Sequence, residues 1–492
     1  MQDAVQMALK NNLKLEIESI DVDIQDTSIQ DSLGDFDPTI NLRAIYESIE
    51  NPQNQREFTA TNGSGTAGSR IFEEENVRLE SSLDGKLPIG TEWSLVAESD
   101  RLKNTLNVVR PPSLYYPEYD TFFGLRLTQP LMKDFGVQTQ MAKVHLAVSD
   151  RKLADIDWQR NLRETVAEIA KSYYDLIFAR EDEDIKRRSI GLADELVKGN
   201  QKRLNEGVAS AIEVRQAEVA VSVREEALIS SQHFFRENQN LLIRQLYRDF
   251  DILNPPKLRP TGRLSIEVPT IDKEAFLASA LSNRLEYKAN VEQLAKQDIQ
   301  IQFYKNQLLP RVDLVGTLGG NGLAGNFGSG FEDAASDDGV QWSAGLVVSI
   351  PLGNRKEKAQ IAARHLEKRQ LVLNLKQIEL DIAVQIDTAV SRIETTRQRV
   401  ETATRSADLA RETLSEEQQR LKEGVTNSFQ ILAAQEDVAT AETRVLSAQV
   451  DLHKAIIDLW LANGTLLEHL GISLDQAPAD SHDAITVKET KE

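Results

Sequence analysis

Cysteine is absent from the 492 residues. That removes disulfides, thiolate metal sites and a thiol nucleophile, and it leaves no cysteine to carry a lipid anchor. Long hydrophobic runs are absent too. Nowhere do about 18 apolar residues follow one another, so no transmembrane helix is expected and any membrane crossing must be made by a β-barrel. Positive charge is in deficit: Lys and Arg number 57 against 77 Asp and Glu, a formal net charge of −20. An acidic chain repels phosphate backbones, which argues against nucleic-acid binding. Aromatic residues are only 6%, although 40% of the chain is hydrophobic, too much for a disordered polypeptide.

Chemistry-bearing constellations are equally scarce. The histidines His145, His233, His365, His453, His469 and His482 show no ligand spacing, so neither a metal nor a cofactor is expected. His453 falls in a heptad region and reads as structural. No nucleophile–base arrangement stands out, and no enzyme activity is expected. Gly63 to Gly68 fits GxGxxG. Without a strand before it or an amphipathic helix after it, it reads as a flexible loop. No signal peptide is visible. The chain opens inside a helical pattern (Ala4, Ala8, Leu9, Leu13, Leu15) with no cap before it. The expectation is that the natural start lies upstream and carries an export signal.

What the chain does have is self-similarity. Arg203 to Val208 reads RLNEGV and Arg420 to Val425 reads RLKEGV, 217 positions apart. Thr128–Leu131 (TQPL) is echoed by Ser349–Leu352 (SIPL) 221 positions on, and Ala8–Leu13 by Ala280–Leu285 after 272. Pro38–Leu42 and Pro310–Leu314 keep the offset of 272. The pairs occur in one order, with one length difference of 51 residues between Pro38 and Pro130. Each half therefore reads helix, strand, strand, long helix, turn, helix.

The expected organisation is a first repeat over 1–250, a Pro-rich linker over 251–270, a second repeat over 271–470 and a polar tail over 471–492. In the first repeat, helices are expected at 3–33, 137–203 and 210–249, and strands at about 38–46 and 121–129, with a long insert over 47–120. In the second, helices are expected at 272–308, 355–421 and 428–467, and strands at about 310–320 and 341–350. The two long helices would each span roughly 100 Å. Their heptads are explicit. Ile431, Val438, Val445, Leu452, Leu459 and Leu466 recur every seven residues, with alanines Ala434 to Ala462 three positions later. Ile386, Ile393, Val400, Ala407, Leu414 and Leu421 do the same on the partner. Such a seam packs as a coiled coil, and its small residues favour close antiparallel pairs.

The strands alternate: Ile40, Leu42, Ala44 and Tyr46; Phe123, Leu125 and Leu127; Val312, Leu314, Gly316 and Leu318; Trp342, Ala344, Leu346, Val348 and Ile350. One apolar face over about ten residues suits a tilted barrel strand. Four strands are too few to close a membrane barrel, for which about eight is the usual minimum, so oligomerisation is demanded; three chains would supply twelve. The insert carries a polar stretch, Asn51 to Arg70, and a further hairpin (Val77, Leu79, Ser81, Leu83, then Trp93, Leu95, Ala97) turning at Leu87 to Gly90. It is read as an extracellular cap. The alternative is that its strands enter the barrel, making six per chain. The Gly/Asn/Asp-rich tip between Gly319 and Gly339 reads as an exposed loop.

Taken together, these motifs resemble the TolC-like outer-membrane efflux proteins (outer membrane factors) over nearly the whole chain. The residues that carry the resemblance are ALKNNL near the start, TQPL and SIPLG at the strand-to-helix junctions (Pro130, Pro351), and RLNEGVASAIEVRQAE with RLKEGVTNSFQILAAQE at the helical turns. The resemblance implies a mainly α fold with membrane β: long antiparallel helical hairpins forming a periplasmic α-barrel with an equatorial region. It further implies four strands per protomer in a homotrimeric 12-stranded β-barrel held in outer-membrane lipid of a Gram-negative cell. The function it implies is an exit duct for tripartite efflux or type I secretion, coupled to a periplasmic adaptor and an inner-membrane RND, ABC or MFS-type transporter. A soluble or peripheral coiled-coil scaffold without a pore is the competing reading.

The resemblance places the turns at the periplasmic tip. Adaptor contact is expected from Arg203, Leu204, Gly207, Val208, Ser210, Arg420, Leu421, Gly424, Val425 and Ser428, all but the glycines expected to be exposed. Gly207 and Gly424 also read as helix punctuation. Ser210 with Glu213, and Asn427 with Gln430, fit capping boxes. The resemblance also implies a periplasmic constriction, for which Glu213 and Gln430, each six positions after its turn glycine, are the candidates. Of the acidic residues the family often carries six and nine positions after that glycine, Glu213 is a match, whereas Gln430 and Ala433 are neutral.

Overall fold

The computed structural model describes residues 1–56, 58, 71–104, 115–262, 264, 272–336 and 339–472. The Gly63–Gly68 loop, most of the polar stretch ending at Arg70, His482 and the tail beyond Ile472 lie outside the described residues. The chain divides into two compact units. One comprises Met1–Asp23, Leu153–Val291 and Leu373–Glu492; the other comprises Ile24–Lys152 and Glu292–Val372.

Helices form where the heptads run. They are α1 (Gln2–Asn11), α2 (Leu13–Leu33), α3 (Val137–Gln140), α4 (Ala142–Asn205), α5 (Ala211–Leu246), α6 (Lys273–Asn283), α7 (Leu285–Gln307), α8 (Phe327–Ala334), α9 (Arg355–Lys422), α10 (Ser428–Asn463) and α11 (Leu466–His469). No helix among the described residues is long and apolar enough to cross a membrane.

Four expected helices are broken. The one over 137–203 is interrupted at Met141, between α3 and α4. Asn12 takes an extended backbone, and its Oδ1 accepts from the N–H groups of Lys14 (2.9 Å) and Leu15 (3.4 Å). It thus ends α1 and caps α2, because an Asn side chain replaces the missing backbone acceptor of a helix start. Arg284 breaks the counterpart between α6 and α7, 272 positions on. Gly464, at φ +76°, separates α10 from α11.

In the first unit the predicted seam is the core. Ile431, Val438, Leu452, Leu459 and Leu466 are buried with Ala434, Ala441, Ala448, Ala455 and Ala462, against Ile386, Ile393, Val400, Ala407 and Leu414 of α9. A second cluster joins Val5, Leu162, Ile169, Leu176, Leu242 and Leu466. Each such Leu or Ile withdraws enough apolar surface from water to contribute roughly 1.5–3 kcal/mol.

The second unit holds a six-stranded antiparallel sheet in the order β1-β2-β3-β4-β5-β6. The strands are β1 (Thr39–Pro52), β2 (Ile71–Lys86), β3 (Glu92–Asn104), β4 (Glu118–Pro130), β5 (Arg311–Ala324) and β6 (Val340–Ser349). This corrects the expected four strands. The insert's hairpin is no cap: β2 and β3 lie between β1 and β4, paired to both. Its turn is closed by Leu87 N–H to Thr91 O and Gly90 N–H to Leu87 O, each 2.8 Å. Gly136 N–H donates to Ile89 O (3.2 Å), so the turn sits at the strand-to-helix junction end of the sheet.

Register explains the placement. One row across the sheet is Ile40, Leu83, Leu95, Leu125, Leu318 and Trp342, an apolar residue from every strand. The neighbouring row on the other face is Thr39, Asp84, Ser94, Arg126, Thr317 and Ser343, all polar. The inserted strands share this alternation between the two rows, so their place between β1 and β4 keeps both rows continuous across the sheet. Cross-strand ion pairs line the polar face: Arg78 with Glu47 (3.2 Å) and Arg126 with Glu98 (2.8 Å).

The tip expected as a loop is also corrected. β5 runs on to Ala324, and α8 lies on the apolar face, where Thr121 Oγ1 donates to Gly330 O (2.6 Å). Helix and sheet backbones meet here because a Cβ on Gly322 would collide with the Gly330 carbonyl.

Candidate functional site

The two helical turns are built alike. After α4, Gly207 (φ +77°) lets Val208 N–H reach Arg203 O (2.9 Å) and its own N–H reach Leu204 O (3.0 Å). After α9, Gly424 (φ +74°) allows Val425 N–H to Arg420 O (3.0 Å) and its own N–H to Leu421 O (3.2 Å). These are Schellman closures, which satisfy the last carbonyls of a helix. They present Val208 and Val425 outward, 64% and 61% exposed. Ser210 and Arg420 are exposed as well, whereas Arg203, Leu204 and Leu421 are half-buried.

Ser428 departs from expectation. It is 0% exposed, and its Oγ lies 2.8 Å from Asn200 Oδ1 and 3.1 Å from Glu213 Oε2. One hydroxyl proton is thus shared between two acceptors, and the start of α10 is tied to the turn between α4 and α5. Asn200 Nδ2 donates to Glu213 O (3.2 Å). This tertiary bond displaces the expected capping box at Ser210, which makes no side-chain cap. The other box is half realised: Asn427 Oδ1 accepts from Gln430 N–H (3.2 Å). Replacing Ser428 with Ala should cost about 1 kcal/mol by leaving Asn200 and Glu213 short of a donor. A thermal midpoint unchanged from the parent would show that the bond contributes nothing.

Two further polar layers follow along α4, α5 and α10. Arg224, 6% exposed, donates from Nη1 to Ser189 O and Gln435 Oε1, both 2.9 Å, and from Nη2 to Leu432 O (3.4 Å). Burial pushes its guanidinium below the usual arginine range, and Glu436, with Oε2 3.8 Å from Nε, pulls it back. Next, Asp182 accepts from Ser231 (2.7 Å) and Thr443 (3.2 Å). The three layers lie about 16 Å and about 10 Å apart by helical rise. Sequence reasoning missed Asn200, Arg224, Asp182 and Gln435. A signal existed: Ala217, Arg224 and Ser231 are buried seven apart on α5, a heptad with polar members.

The strand-to-helix junctions hold Pro130, buried at the end of β4, and Pro351, exposed after β6. Both junctions turn through left-handed residues, Asp134 and Gly136 in one, Gly353 and Asn354 in the other. The end of α7 bolts them down. Asn306 Oδ1 accepts from Asp134 N–H (2.7 Å), and Asn354 Nδ2 donates to Leu308 O (2.9 Å). Of the histidines, His453 stacks on Tyr174 at 4.7 Å, a packing contact.

Heptad helices and a sheet with an apolar row on one face and a polar row on the other are shared with solved outer-membrane channels. The chain superposes on the CmeC outer membrane channel of Campylobacter jejuni with a TM-score of 0.66 at 16% identity, over 96% of this chain and 90% of that one. On the open-state MtrE outer membrane channel of Neisseria gonorrhoeae the values are 0.62, 16%, 94% and 89%. In sequence it is 23% identical to the outer membrane efflux protein BepC of Brucella suis biovar 1 (strain 1330), over 85% of this chain and 86% of that protein. Residues 276–465 match the outer membrane efflux protein family. Residues 276–465 therefore resemble the outer membrane efflux proteins, the chain as a whole shares the fold of these solved outer-membrane channels, and the resemblance drawn from its sequence holds.

Proposed function

We propose that this chain is one subunit of a homotrimeric export duct of the outer membrane, a passive conduit that performs no catalysis. The observation that carries the reading is the sheet. It has an apolar row on one face and a polar one on the other, and its end strands β1 and β6 each have a single strand neighbour among the described residues. All ten residues of β6 are exposed. A lone chain in water would leave that apolar face wet and two edges open to pairing. With an even number of antiparallel strands, β6 of one copy meets β1 of the next antiparallel, so a ring closes without a mismatch. A soluble scaffold has no use for such a face.

The helical unit would form the periplasmic tunnel, with the turns at Gly207 and Gly424 as the adaptor-docking end. The exposed Val208 and Val425 give an adaptor apolar purchase beside Ser210 and Arg420. Coupling to an RND, ABC or MFS-type pump follows from the same reading. The matching helix breaks at Asn12 and Arg284 support descent from a duplicated half. In the test, the protein should sediment with outer membranes, run as a heat-sensitive trimer in detergent and conduct in planar bilayers. A monomer soluble without detergent rejects the proposal. Glu213→Gln should lower cation selectivity in those bilayers, because a ring of three carboxylates concentrates cations. Unchanged selectivity would leave Glu213 only its bond to Ser428.

A further inference from the structure

The six-stranded sheet carries a consequence that the resemblance does not. We infer that three copies share a barrel of 18 strands rather than 12, and that the outlet is wide enough for a polypeptide folded as a helical hairpin. This rests on the trimeric reading.

The inserted hairpin is paired as wall strands would be, between β1 and β4. Its residues continue the apolar row through Leu83 and Leu95 and the polar row through Asp84 and Ser94. Its turn is docked at the junction end by Gly136, so the hairpin turns at the level where β1 begins and β4 ends. Beyond the apolar rows the same face turns charged: Lys103 is hydrogen-bonded to Glu75 at 2.6 Å. That is where a wall leaves lipid for water. A cap would show no such band, since nothing would select for a lipid-facing row in it.

Width follows from strand count. At about 4.8 Å between strands and a tilt of about 40°, twelve strands give a backbone radius of about 12 Å and eighteen give about 18 Å. With about 5 Å of side chain on the inner wall, the clear bore rises from about 14 Å to about 26 Å. A single helix is about 10–12 Å across with its side chains, and a packed helical pair about twice that. The narrower bore admits one helix at most; the wider one admits a helical hairpin. The inner wall would carry the paired charges of Arg78 with Glu47 and Arg126 with Glu98. Neutralised in pairs, they line a hydrated bore without gripping a passing chain of either sign.

The absence of cysteine makes the test clean. Arg43 on β1 faces Glu80 on β2, and the same level continues through Glu98 to Phe122 on β4. In the full chain in outer membranes, Arg43→Cys with Glu80→Cys should oxidise to a disulfide within the chain, since partner Cα atoms lie within about 5.5 Å. Arg43→Cys with Phe122→Cys should not, because three strand spacings are about 14 Å. Formation of the second bridge and not the first would overturn the inference and put the hairpin outside the wall. Top views of the assembly in nanodiscs should show a ring about 1.5-fold wider than twelve strands allow; a 12-strand ring of three copies likewise overturns it. Native mass keeps the two readings apart. Two copies with the first bridge formed would refute the trimer while leaving six wall strands per chain intact.

Discussion

Leu125→Arg should cost about 2–4 kcal/mol of folding free energy in lipid and deplete the heat-sensitive trimer band. Leu125 sits in the apolar row, flanked by Leu95 on β3 and Leu318 on β5. In the proposed barrel a guanidinium there must be carried into hydrocarbon or drag water and headgroups towards it, and either outcome penalises the assembled state alone. The comparison is Ser82→Arg, one residue along from Leu83 on the opposite face, beside Asn41 and Val96. There the new charge faces the hydrated side and has Asp84 within its own strand, so the change should stay within about 1 kcal/mol. Urea titration in phospholipid vesicles reads both. Equal losses for the two variants would mean that neither face meets lipid.

Arg224→Ala is the second large effect, expected to destabilise the helical unit by about 3 kcal/mol. The side chain reaches from α5 to the Ser189 carbonyl of α4 and to Leu432 and Gln435 of α10. Its removal leaves a cavity and returns Gln435 to a buried position with one partner fewer. Arg224→Lys should recover only part of the loss, because a single ammonium cannot reproduce the fork that spans two helices. Arg215, exposed on the same helix, supplies the control: its alanine variant should lie within about 0.5 kcal/mol of the parent. The helical melting transition in detergent separates them, and coincident curves for Arg215→Ala and Arg224→Ala would refute the anchor.

The helices were readable because close packing imposes a period of seven, and of the residues at that period from Ile431 to Leu466 all but the half-buried Val445 are buried. The strands were readable as strands for the same reason at a period of two. Their neighbours were not. Val77 to Leu83 and Trp93 to Ala97 alternate well, but alternation says nothing about what a strand pairs with; the hydrogen-bonded register does. Local rules also lost to distant partners at the tip. Ser210 and Glu213 form an acceptable capping box on paper, yet Ser428, 215 positions away in sequence, takes the Glu213 carboxylate. Asn12 was the opposite case: an asparagine inside a helical pattern is a sound cap signal, and the continuous helix expected across it ignored that signal.

The two raw edges of the sheet also have a genetic consequence. In the proposed ring, a full-length copy whose β6 alone cannot pair keeps the β1 edge and lacks the other, so it can still accept a neighbour but can never complete the circle. Once incorporated, it wastes the intact copies that joined it. Defects confined to the last strand should therefore be dominant over a wild-type allele, whereas those that abolish β1 and β6 together should be recessive, since such a product can join nothing.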